Sequence, residues 1–126
     1  MNSTERFPDI EVYVKGVDTE ALLSWLHETL QATLSPAGKG HWRGEGRGES
    51  NAVIPCMIME KAADGFTSLS LDSDATPWPR DIDCARALHA ALGGEVRCSP
   101  GGWLPGEEPE CYIRLKDGEE STLIWG

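Results

Sequence analysis

Residues 72–76 read D-S-D-A-T, and the run FTSLSL at 66–71 leads straight into them. Two aspartates one residue apart, after a hydrophobic strand, are a way to begin phosphoryl transfer. The first carboxylate attacks phosphorus, the second handles the leaving-group proton, and both ligate Mg²⁺. Trp78 and Arg80 follow at once, and Trp103 stands beyond the next helical stretch. Asp72, Asp74, Trp78, Arg80 and Trp103 are therefore the candidate binding residues.

The surroundings do not fit that chemistry. Enzymes that open on D-x-D-x-T are doubly wound parallel folds, with further Ser/Thr, Lys and paired Asp elements downstream. Here more than half of the chain precedes the motif and only about fifty residues follow. A turn and a helix start account for the same letters. Asp72, Ser73 and Asp74 are turn formers. Thr76 suits an N-cap and Pro77 the first helical position, with Trp78 and Pro79 in the first turn. Asp81 and Asp83 then complement the positive end of the helix. No catalytic residue is assigned.

The remaining reactive types are scattered. The glycines at 38–48, G-K-G-H-W-R-G-E-G-R-G, match neither G-x-G-x-x-G nor G-x-x-x-x-G-K-[ST]. They predict a mobile loop or a glycine-softened edge strand. His27, His41 and His89 show no H-x-x-x-H spacing, and no G-x-S-x-G elbow is present. Cys56, Cys84, Cys98 and Cys111 lack a C-x-x-C and read as reduced, buried thiols. No metal and no cofactor are expected. Of the five tryptophans, Trp25 adjoins a helical stripe, whereas Trp42, Trp78 and Trp103 lie in or beside loops. Loop tryptophans either cap a small core or anchor a partner.

Charge narrows the function class. Asp and Glu number 21 against 11 Lys and Arg, for a net charge of −10. Nucleic acid is excluded as a partner, because no basic face exists to displace counterions. An anionic membrane surface is disfavoured for the same reason. The start, MNSTERFPDIEVYV, has neither a basic region nor an apolar one, and no apolar run approaches a membrane span. A cytoplasmic location is expected.

The elements follow from periodicity. IEVYV at 10–14 alternates as a half-buried strand. Asp18 starts a helix whose stripe is Leu22, Leu23, Leu26, Leu30 and Leu34, stopped by Ser35-Pro36-Ala37-Gly38. AVIPCMIME at 52–60 and FTSLSL form a hairpin, with Pro55 implying a bulge or an edge. Ile82, Ala85, Leu88, Ala91 and Leu92 face inward on the second helix, ended by Gly93-Gly94. EVRCS is a short strand, and two strands flank Asp117-Gly118 at the end. The fold class is α+β: residues 1–126 as a single domain, a two-layer sandwich of mostly antiparallel sheet with two helices on one face. The order is β-α-β-β-β-α-β-β-β, ferredoxin-like in spirit.

The run SDATPWPRDIDCARALHAALGGEVRCSPGGW resembles a family of small acidic bacterial proteins with no assigned chemistry. The resemblance implies a single bacterial cytosolic domain and carries over no site residue. Two functions remain. One is a non-enzymatic interaction domain recognising a basic protein partner, as toxin-inhibiting immunity proteins do, an analogy of fold and charge alone. The other is a small metal-dependent or acid–base enzyme using the Asp72/Asp74 turn, with Asp81 and Asp83 as further carboxylates whose mutual repulsion can raise a pKa. A homodimer through an exposed edge strand is compatible with either.

Overall fold

The structure, a computed structural model, describes residues 8–99 and 111–125. Among these residues the chain runs β1 (Ile10–Lys15), α1 (Thr19–Leu30), β2 (Thr33–Gly38), β3 (His41–Arg47), a short 3₁₀ turn (Glu49–Asn51), β4 (Val53–Ala63) and β5 (Phe66–Leu71). Then come α2 (Asp81–Leu92), β6 (Glu95–Cys98), β7 (Cys111–Lys116) and β8 (Glu119–Ile124). The eight strands form one sheet in the order β2-β3-β4-β5-β1-β6-β7-β8, and every pairing is antiparallel. No described helix is long and apolar enough to cross a membrane.

Alternation along the strands builds the core. Ile10, Val12 and Val14 of β1, Leu69 and Leu71 of β5, Ile54, Cys56 and Ile58 of β4 and Val96 and Cys98 of β6 all face the helices and are buried. Against them α1 lays Leu22, Trp25, Leu26 and Leu30, and α2 lays Ile82, Cys84, Ala85 and Leu88. Each buried Leu, Ile or Val among them contributes roughly 1.5–3 kcal/mol by leaving water. This one cluster spans both helices and the sheet, as an α+β two-layer domain requires.

Four strands, not three, stand between the helices, and the unexpected one is β2, which forms where the end of the first helix and its stop were expected. α1 stops at Leu30, because Gln31 takes a left-handed conformation (φ 54°). Leu34 therefore sits on β2, opposite Gly44, and not on the helical stripe. The stretch is not a mobile loop: Gly44 and Gly46 lie in β3, inside the sheet, while Gly38 ends the edge strand β2, Gly40 sits in the turn and Gly48 follows β3. A Cβ on Gly44 would stand 1.9 Å from the Thr33 carbonyl oxygen, and one on Gly48 would stand 2.1 Å from that of Ala75. Other backbone passes too close for any side chain, which explains the glycines better than flexibility does.

Pro55 also sits in an interior strand, in register with Glu45, and the bulge of β4 lies elsewhere, between Met59 and Ala63. The proline is tolerated because it marks the last rung toward β5. Its carbonyl accepts the Asp72 N–H (2.9 Å), and β5 has ended there, so the missing N–H leaves no interior ladder bond broken.

The second helix begins at Asp81, not at Pro77. Pro79 pushes Trp78 out of the helical region, so helix can start only beyond it. Thr76, buried, instead holds a tight local turn: its hydroxyl accepts the Trp78 N–H (3.1 Å) and donates to the Trp78 carbonyl (2.8 Å). Ala91, expected inward, is exposed.

Candidate functional site

The acidic turn lies at the end of β5, beside the first residues of β1 and α2. Asp72 and Asp74 are both exposed. The Ser73 hydroxyl accepts the Ala75 N–H (2.9 Å), so the segment is a compact side-chain-stabilised turn. Among the described residues no group of three or more His, Cys, Asp or Glu side chains is arranged to hold a metal ion. Asp72 instead lines a cleft of about 420 Å³ with Asp9, Glu11, Met57, Ser70 and Asp81. It also borders a smaller neighbouring cleft with Arg43, Pro55 and Met57.

Asp81 is the unusual member. Its carboxylate accepts the Glu11 N–H (3.2 Å), a donor on β1 beyond the stretch paired with β6. Only 9% of the residue reaches solvent. Burial pushes its carboxyl up to about 7; the Glu11 N–H opposes this, while the like charges of Asp9 and Glu11 add to it. Near neutral pH this group is therefore divided between acid and carboxylate.

The other candidates separate. Trp78 is half-buried and stacks on Trp25, with centroids 5.1 Å apart and planes 13° from parallel. It joins the α2 entry to α1 and is part of the core wall. Arg80 is exposed and turned to Asp83, whose carboxylate accepts both its backbone N–H (3.1 Å) and its Nε–H (3.3 Å). Trp103 lies outside the described residues. The structure thus brings Asp72 together with Asp9, Glu11 and Asp81, and it draws Trp78 and Arg80 into structural roles.

Asp9 and Glu11 were missed as site residues, and Asp81 was named only as a further carboxylate of the acid–base alternative. For Asp81 a signal existed: it falls at helical spacing with Cys84, Ala85 and Leu88, on the buried stripe. Asp9 and Glu11 gave no signal, because only the pairing of β1 with β5 brings them to Asp72.

The far face of the sheet carries a second polar cluster. Tyr13, Phe66, Tyr112 and Trp125 pack edge-on or tilted, with centroids 5.0–6.5 Å apart. The Arg97 guanidinium lies over Phe66 (4.6 Å) and Trp125 (4.7 Å) and pairs with Glu95 (2.8 Å). Nearby Trp125 donates its indole N–H to Asp64. The cysteines Cys56, Cys84 and Cys98 are buried and free, and Cys111 is half-buried and free. Burial raises Cys56 to about 11 and Cys98 to about 12, so neither is a ready nucleophile.

Comparison with models of known protein families, with curated proteins and with solved structures finds no match.

Proposed function

We propose that the chain is a non-enzymatic interaction domain that binds a basic protein partner through its acidic end. The observation that carries this is the convergence of Asp9, Glu11, Asp72 and Asp81 on one cleft. Asp74 and Asp83 stand beside them in sequence, and the nearby Arg80 is already engaged by Asp83. A lysine or arginine entering the cleft meets carboxylates in excess, and the net charge of −10 speeds its approach.

The test uses an oligolysine peptide as probe and isothermal titration calorimetry on the full chain. Binding is expected to weaken steeply with salt. The double variant Asp9→Asn/Asp72→Asn should lose about tenfold in affinity. Asp117→Asn/Glu119→Gln removes the same charge elsewhere and should change little. Equal loss in both variants sinks the proposal, because net charge alone would then explain the binding.

A second reading is acid–base or metal-dependent chemistry at the Asp72 turn. It is favoured by the Asp81 carboxyl, which titrates near neutrality on the cleft that Asp72 lines. Millimolar Mg²⁺, Mn²⁺ or Ca²⁺ should then raise the melting temperature, and Asp72→Asn with Asp74→Asn should abolish the shift. A flat response to all three ions ends the metal-dependent form. For the acid–base form, a hydrolytic activity must be found whose pH profile moves with Asp81→Asn.

A further inference from the structure

We propose that β8 is a self-pairing edge, through which two copies of this chain join antiparallel about an axis at Thr122. The two ends of the sheet are built differently. β2 is blunted: Pro36 offers no N–H, and the register with β3 breaks between Pro36 and Gly38. β8 has neither device. It runs in unbroken register with β7 from Lys116↔Glu119 to Cys111↔Ile124, and among the described residues no strand pairs with its outer side. It also carries Ile124, which is 63% exposed.

The turn decides which groups point outward. Asp117 and Gly118 both have positive φ (53° and 80°), a type I′ hairpin. In such a hairpin the flanking pair, Lys116 and Glu119, exchanges both hydrogen bonds, and the pattern alternates from there. Glu119, Ser121 and Leu123 therefore spend their backbone groups on β7. Glu120, Thr122 and Ile124 aim theirs at the open edge.

An antiparallel pairing with the axis at Thr122 sets this residue opposite its own copy and Glu120 opposite Ile124. Every outward N–H and C=O then finds a partner. The facing side chains share one side of the sheet, as pairing demands, and no carboxylate meets a carboxylate. Moving the axis to Ser121 leaves the groups of Ile124 unmatched. A second copy thus completes this edge when the axis lies at Thr122.

The contact is small and weak by the standards of stable dimers, and each copy brings a charge of −10 to it. Added salt screens that repulsion and tightens the dimer. The binding of a basic partner responds to salt in the opposite sense, so the two proposals fail separately.

Analytical ultracentrifugation of the full chain, from micromolar to millimolar at low and high salt, tests it. A concentration-dependent dimer that strengthens with salt is expected. Thr122→Pro removes an outward N–H while sparing the β7 ladder, and Thr122→Glu places two carboxylates face to face. Each should weaken dimerisation by about tenfold or more, with circular dichroism showing an intact fold. Mixing Thr122→Glu with Thr122→Lys should restore association. A monomer at every concentration and salt overturns the proposal and leaves the edge to a strand of another protein. Association undiminished in the folded variants also overturns it, because the contact then lies elsewhere.

Discussion

Arg97 and Asp81 are both ionisable side chains withdrawn from water by the same sheet, yet they are treated in opposite ways. Arg97 has a carboxylate at 2.8 Å and two aromatic faces against its guanidinium. Its charge is answered on every side that water has left. Asp81 receives one backbone N–H, and the neighbouring charges it feels, Asp9 and Glu11, share its sign. A matched buried charge holds the fold together. An unmatched one is a place where an outside cation would improve matters.

Three perturbations break or sharpen that contrast. The largest effect belongs to Arg97→Ala. It strands Glu95, whose side chain is 15% exposed, and opens the aromatic cluster. The expected loss is about 3 kcal/mol in urea unfolding. A loss below 1 kcal/mol would mean the cluster is solvated and the two sites are alike.

Next comes Asp81→Asn, read as a function of pH. The folded group titrates near 7, above its ordinary value of 3.8. The native state therefore holds a proton that the unfolded chain has lost. Stability is unpenalised below about 4, falls as pH rises toward 7, and stays at its lower level above that. The asparagine keeps an acceptor for the Glu11 N–H and carries no charge. It should flatten this fall, by roughly 2 kcal/mol between pH 4 and 8. An unchanged pH profile would mean that Asp81 titrates normally.

The smallest effect is that of Asp9→Asn. Asp9 is exposed and acts on Asp81 through space, so its removal should lower the Asp81 midpoint slightly and leave stability within about 0.5 kcal/mol.

What the sequence revealed of this contrast was uneven, for physical reasons. Local chemistry was legible. Asp18 begins α1, and the Asp64-Gly65 and Asp117-Gly118 turns have the positive φ that hairpins need. The apolar stripes of both helices face the core, Ala91 excepted, although Leu34 packs there from β2. The helix start at Asp81 was also within reach, had the restriction imposed by Pro79 on Trp78 been weighed against the cap signal of Thr76. What failed was non-local. Gly44 and Gly48 are dictated by backbone that arrives from elsewhere, and Pro55 by where β5 happens to end. Arg97 gave no hint of its aromatic shelter, since Phe66 and Trp125 are distant in sequence. At the acidic end the turn was found from its spelling. Its partners came from strand pairing, which no single segment encodes.

The most direct measurement is an NMR titration of the side-chain carboxyl carbons, with and without oligolysine. In the free chain Asp81 should titrate near pH 7. With the peptide its midpoint should fall, and the shifts should gather on Asp9, Glu11, Asp72 and Asp81. An Asp81 that titrates with the ordinary carboxylates, or peptide-induced shifts spread evenly over the acidic surface, would contradict the account.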